Sequence, residues 1–179
     1  MKTVIPLLFA LCFGWCLWSC EPVQKISEIP EIHFKKYAYE DRWDALYDAY
    51  IKKSVLTFSF IDGDGDIGVK SRYDSISKIH YTWYKKLSDG LYEAYQFPMT
   101  GAVTDSIAIP YGSVMNKEEA HNKTLKGTIE MVISTPEKPK DIDLMRIKFY
   151  IFDRAGNRSN VEYTPDFSIQ HPPEELLPQ

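Results

Sequence analysis

Asp62, Asp64 and Asp66 alternate with glycines in the run Ile61-Asp62-Gly63-Asp64-Gly65-Asp66-Ile67-Gly68, directly after an alternating apolar stretch. Glycine carries no Cβ, so Gly63 and Gly65 allow the chain to curl until alternate carboxylates converge. Converging carboxylates hold hard cations. Ca²⁺ takes six to eight oxygens at about 2.3–2.6 Å, and three carboxylates with loop carbonyls supply most of such a shell. The spacing begins like an EF-hand loop, but Ile67 stands where that loop needs glycine and Tyr73 where it needs a bidentate Glu. The run is therefore not an EF-hand. Aspartates in glycine-rich turns also hydrogen-bond their own backbone without any metal.

A second group able to do chemistry is aromatic. Tyr81, Trp83, Tyr84, Tyr92, Tyr95 and Phe97 fall on two adjacent runs. Flat rings with polar edges make platforms for sugars, and Tyr84, Tyr92 and Tyr95 are the candidates for a ligand-binding platform. Trp83 falls instead where a sandwich buries a large ring between its sheets. His33, His80, His121 and His171 are scattered, with no pair at ligand spacing. There is no Gly-x-Ser-x-Gly elbow, no His-Glu-x-x-His and no phosphate-cradling loop. A carboxylate pair for hydrolysis is defined in space rather than by spacing, so the sequence nominates none.

The third chemical feature is Cys20. Lys2 is the only charge before Glu21, and an apolar stretch runs from Val4 through Leu17. A short positive region followed by about 7–15 apolar residues reads as a secretory signal peptide over residues 1–19. A spanning helix needs roughly 20 apolar residues. Leu17-Trp18-Ser19-Cys20 resembles the lipobox of bacterial lipoproteins, with Trp18 departing from the small or aliphatic residue usual there. The resemblance implies cleavage after Ser19 and lipidation of Cys20, and two or three acyl chains anchor stably where one does not. The other cysteines, Cys12 and Cys16, lie in the leader, so the folded domain is expected to have neither a disulfide nor a cysteine metal site.

These residues need a scaffold to position them. The chain has 179 residues and a formal net charge of −4, with no basic run. Nucleic acid is therefore an unexpected partner. Residues 20–30 read as the lipidated cysteine and a polar tether, reaching at most about 33–36 Å when extended. The spacing of Trp43, Leu46, Tyr47 and Tyr50 predicts a short amphipathic helix near residues 41–52. Elsewhere the pattern is strand-like. Leu56, Phe58 and Phe60 share one face, as do Ile79, Tyr81 and Trp83, and again Ile147, Phe149 and Ile151. About seven short strands broken by turns predict an all-β, antiparallel sandwich over residues 31–168, with a loose tail over 169–179.

Three patches carry a wider resemblance: Thr57 through Gly68, Leu125-Lys126-Gly127-Thr128-Ile129, and Ile147 through Asn160. They are similar to a family of small Bacteroidetes-type lipoproteins with an immunoglobulin-like domain, against which residues 41–52 read as an insertion. The resemblance implies that fold and a place in the cell envelope, with a membrane anchor, and it implies no activity. In such a sandwich the Asp run follows strand B and the turn Asp153-Arg154-Ala155-Gly156-Asn157 joins strands F and G, at the same end. Two readings of that end stand. Asp153 and the Asn157 side-chain carbonyl complete a Ca²⁺ shell with Asp62, Asp64 and Asp66. Alternatively Arg154 pairs with Asp64 or Asp66 and clamps the two loops without metal. The functional expectation is a non-enzymatic envelope module that binds or scaffolds a protein or glycan, requires no cofactor, and has a possible Ca²⁺ site. A glycan-capture protein and a carboxylate-pair hydrolase are the alternatives.

Overall fold

The computed structural model describes residues 26–45, 48–68, 76–96, 104–109, 124–135 and 142–168. Eight strands are present among them: β1 (Glu31–Asp44), β2 (Ala49–Asp62), β3 (Lys78–Lys86), β4 (Tyr92–Tyr95), β5 (Thr104–Ala108), β6 (Leu125–Thr135), β7 (Met145–Ile151) and β8 (Glu162–Tyr163). One sheet has the order β1-β2-β6. The other has the order β4-β3-β7-β8, with β5 also paired to β3. Both β4 and β5 run antiparallel to β3, β4 along its last residues and β5 along its first. Every strand pair is antiparallel.

The all-β, antiparallel expectation holds. The alternating faces read from the sequence pack against one another across the two sheets. Leu56, Phe58 and Phe60 of β2 join Ile79, Tyr81 and Trp83 of β3 and Ile147, Phe149 and Ile151 of β7 in one buried cluster. Phe58 and Phe149 meet directly, with ring centroids 5.2 Å apart. Trp83 is buried and lies edge-on to Phe167. Truncating a ring such as Phe58 or Phe149 to alanine costs about 3–5 kcal/mol in such a setting.

The helix expected near residues 41–52 is not seen among the described residues. β1 continues to Asp44 and β2 begins at Ala49, with Asp44 opposite Ala49 and Asp41 opposite Lys52. Trp43 and Tyr50 lie opposite each other on β1 and β2, so that part of the helical spacing spans two paired strands, while Leu46 and Tyr47 lie outside the described residues. Asp48 supports the turn between the two strands with a φ of 47°, a left-handed conformation that aspartate tolerates better than most residues. A bulge between Phe34 and Lys36 also shifts the register of β1. Ile32 and Phe34 face the core before it, and Tyr37 and Tyr39 after it, so the charged pair Lys35-Lys36 is kept out of the interior.

The Asn160 side chain ties the start of β1 to the β7–β8 connection. Its carbonyl accepts from Ile32 N and its amide donates to Ile32 O, both at 2.8 Å. A side-chain amide here takes the place of a strand partner.

Candidate functional site

Strand parity explains how the acidic end is built. Along β2 the buried positions run Ser54, Leu56, Phe58, Phe60 and then Asp62. Along β7 they run Met145, Ile147, Phe149, Ile151 and then Asp153. Each strand thus delivers an aspartate at its next inward position, and both are 0 % exposed. Asp64 and Asp66 follow in the loop and are partly buried. Ile67, which excludes the EF-hand reading, is fully buried and pins the loop to the core.

The loop is tightly held. Asp66 N donates to Asp62 Oδ2 at 2.8 Å, closing the turn on itself. Gly68 N donates to Ser77 Oγ at 2.8 Å. The β7–β8 turn grips it from the other sheet. Ala155 N donates to Asp66 Oδ2 at 2.9 Å, Arg154 N to Asp66 O at 3.3 Å and Arg154 Nη1 to the Gly68 carbonyl at 2.9 Å. Gly65 has a φ of 69°, which requires glycine in practice. Gly63 is required by a close approach: Gly63 N donates to Ser27 O at 2.8 Å, and a Cβ would lie 2.4 Å from that oxygen. The chain leading into β1 therefore passes directly beside the acidic loop.

Asp62, Asp64 and Asp66 converge, each with a carboxylate oxygen within 4.8 Å of the others. Each also keeps its Oδ1 buried with no hydrogen-bond partner. Burial pushes the Asp62 carboxyl up to about 7, the Asp64 and Asp66 charges adding to it against the hydrogen bond from Asp66 N. Asp66 is also raised, first by burial, then by the charges of Asp153 and Asp64, while Ala155 N and Arg154 act to lower it.

Asp153 and Asn157, the other two members of the five-residue shell, are bonded to each other. Asn157 N donates to Asp153 Oδ1 at 2.7 Å, and Asn157 Nδ2 to Asp153 Oδ2 at 2.8 Å. The Asp153 carboxylate is thus satisfied on both oxygens and closes its own turn. Arg154 does reach the acidic loop, where it holds the Gly68 carbonyl. Clamp and carboxylate cluster coexist, since the clamp occupies Asp66 Oδ2 and leaves Asp66 Oδ1 free.

The second candidate surface is the outer face of the β3–β7 sheet. Tyr84 and Tyr92 lie on it, because Lys86 pairs with Tyr92 and Tyr84 with Ala94. Tyr95 does not: it is opposite Trp83 and packs against the core. The three tyrosines therefore make no common platform. Sequence reasoning missed Arg146, which lies opposite Tyr84. Its guanidinium carbon sits 3.4 Å from the Tyr92 ring centre and 4.6 Å from that of Tyr163. Asp166 accepts from Lys86 Nζ at 2.7 Å and from the Tyr92 hydroxyl at 2.8 and 2.9 Å. Burial alone would raise Asp166, but the bonds from Lys86 and Tyr92 hold it below the usual carboxylate range.

Further along the same face, His80 stacks on Tyr150 with centroids 5.3 Å apart and planes 4° from parallel. Phe152 meets both rings edge-on, and the Arg158 guanidinium lies 5.6 Å from the Tyr150 ring centre. Burial and then the Lys78 charge lower the His80 pKa from its ordinary value. The sequence signal for this surface was the outward parity of β7, in which Arg146, Lys148 and Tyr150 alternate with the core residues.

The proposed lipidation site Cys20, the leader before it and the tail from residue 169 lie outside the described residues. A scan against protein-family models finds no match, and neither do comparisons with curated proteins and with solved structures.

Proposed function

We propose that this chain is a lipid-anchored binding module of a bacterial cell envelope, an immunoglobulin-like sandwich held at the membrane through Cys20, that takes an acidic glycan on the outer face of its β3–β7 sheet. The strand order supports the immunoglobulin-like part of this reading. In chain order, β1-β2-β6 against β3-β7-β8 corresponds to strands A-B-E against C-F-G. The lipobox-like Leu17-Trp18-Ser19-Cys20 supports the anchor.

The observation that carries the binding reading is the outer face itself. Arg146 is stacked between Tyr92 and Tyr163, and Lys78, Lys148 and Arg158 share that face with Tyr84 and Tyr150. Asp166 pairs with Lys86 and also feels the Arg146 charge, whereas Lys78, Lys148 and Arg158 have no ion pair among the described residues. A chain of net charge −4 thus gathers an excess of cations and rings on one sheet face. Rings offer sugars flat apolar contact, and guanidinium and ammonium groups pair with carboxylates. A polymer of uronic acids has both features.

Affinity electrophoresis of the full chain in detergent tests this. Polygalacturonate in the gel is expected to retard the wild type, and neutral dextran to leave it unshifted. Lys148→Glu with Arg158→Glu should abolish the retardation, and salt should weaken it. Equal mobility in both gels would overturn the glycan reading and leave a protein partner as the occupant to seek.

A further inference from the structure

We infer that Asp62, Asp64 and Asp66 form a Ca²⁺ site that fixes the end of the sandwich from which the tether leaves. The inference is independent of what binds the outer sheet face.

Geometry carries it. Two oxygens bound to one ion at about 2.4 Å cannot be more than about 4.8 Å apart. One carboxylate oxygen from each of the three aspartates meets that limit. A cluster of acids alone would mean little, since exposed carboxylates often gather in turns. Asp62 is different: it is wholly buried, its Oδ2 is engaged by Asp66 N, and its Oδ1 has no partner. An unpaired buried oxygen costs the fold free energy, so a native structure normally supplies it with a partner. Asp64 Oδ1 and Asp66 Oδ1 have the same need, and a divalent cation held among the three carboxylates is the partner inferred for them.

The ligand set selects the ion class. All three donors are carboxylates, which suits a hard cation rather than zinc or copper. The site sits in an irregular loop whose other contacts are already made: Asp66 Oδ2 is held by Ala155 N and the Gly68 carbonyl by Arg154. Such a loop can offer extra carbonyls and waters at variable angles, which Ca²⁺ accepts more readily than the strictly octahedral Mg²⁺. The rival arrangement is a proton shared within the cluster, which satisfies two of the three oxygens and needs no metal.

The cation would also bear on the tether. Gly63 N holds Ser27 O, so the chain reaching back to Cys20 is fastened to the residue between Asp62 and Asp64. An ordered loop fixes the direction in which the domain leaves its anchor.

Thermal melts of the full chain in detergent decide the matter, run in EDTA, in millimolar Ca²⁺ and in millimolar Mg²⁺. At about 100-fold excess over Kd, Ca²⁺ should raise the Tm by roughly 5–10 °C, with a smaller response to Mg²⁺. Asp64→Asn and Asp66→Asn should each abolish the Ca²⁺ response while melting at or above the wild type in EDTA, because each relieves like-charge crowding. If one variant fails to fold, the other decides. No Ca²⁺-dependent rise in the wild type would overturn the site, as would an equal rise in wild type and variants. An equal response to Mg²⁺ would overturn the assignment to Ca²⁺.

Discussion

Asp62 and Asp153 occupy equivalent places on opposite sheets, and their carboxylates are satisfied differently. Each is the next inward position beyond the last apolar core residue of its strand, Phe60 on β2 and Ile151 on β7, and each is completely buried. Asp153 has both oxygens engaged by Asn157. Asp62 has one engaged by Asp66 and one unpartnered. A sandwich needs its ends closed where strand alternation runs out. Here a self-contained turn closes one half, and the other half converges on a point that three carboxylates share.

In the absence of divalent cations, stability should fall as pH rises from about 4 to about 7. Asp62 is pushed up to about 7 in the folded chain, above the roughly 3.9 of an unfolded aspartate. Between those values the folded state holds the extra proton, so raising the pH removes stability, and above about 7 the effect is complete. Urea midpoints in EDTA should be higher at pH 5 than at pH 7.5. Asp62→Asn should reduce that difference, and an unchanged difference would show that other groups set it.

Asn160→Ala should destabilise the domain by about 1–3 kcal/mol, since it removes both bonds to Ile32 and leaves that residue's N–H and carbonyl without those partners. Urea unfolding checks this. A loss within about 0.5 kcal/mol would mean that solvent or a neighbour replaces the amide.

Much of this architecture was legible in the sequence, for a definite reason. Strand alternation is local, so Leu56-Phe58-Phe60 and Ile147-Phe149-Ile151 announce their own faces. Carried two residues further, the same parity also buries Asp62 and Asp153. The failures arose where one local pattern imitates another. Trp43 and Tyr50 read as one helical stripe, yet they face each other on two paired strands. Tyr92 and Tyr95 lie an odd number of residues apart on one strand, which places them on opposite faces. The role of Arg146 was hidden because the rings that flank it, Tyr92 and Tyr163, come from β4 and β8. Only strand order brings them to one place.

Arg146→Lys should weaken glycan retardation nearly as much as Arg146→Ala. A planar guanidinium stacks on two rings at once, and an ammonium does not reproduce that contact. Affinity electrophoresis reads the effect. Full retention of binding in the lysine variant would reduce Arg146 to a point charge.

Cys20→Ser should release the chain from membranes. In detergent phase separation the wild type is expected in the detergent phase and the variant in the aqueous phase, and labelled palmitate should enter only the wild type. A wild type found in the aqueous phase without label would remove the anchor from the account.

The most direct test of the acidic end is equilibrium dialysis of the full chain against radioactive Ca²⁺. One ion should bind per wild-type chain, and none at the same concentration to Asp64→Asn or Asp66→Asn. Absence of bound Ca²⁺ from the wild type at millimolar concentration, or equal binding by the two variants, would contradict the Ca²⁺ site.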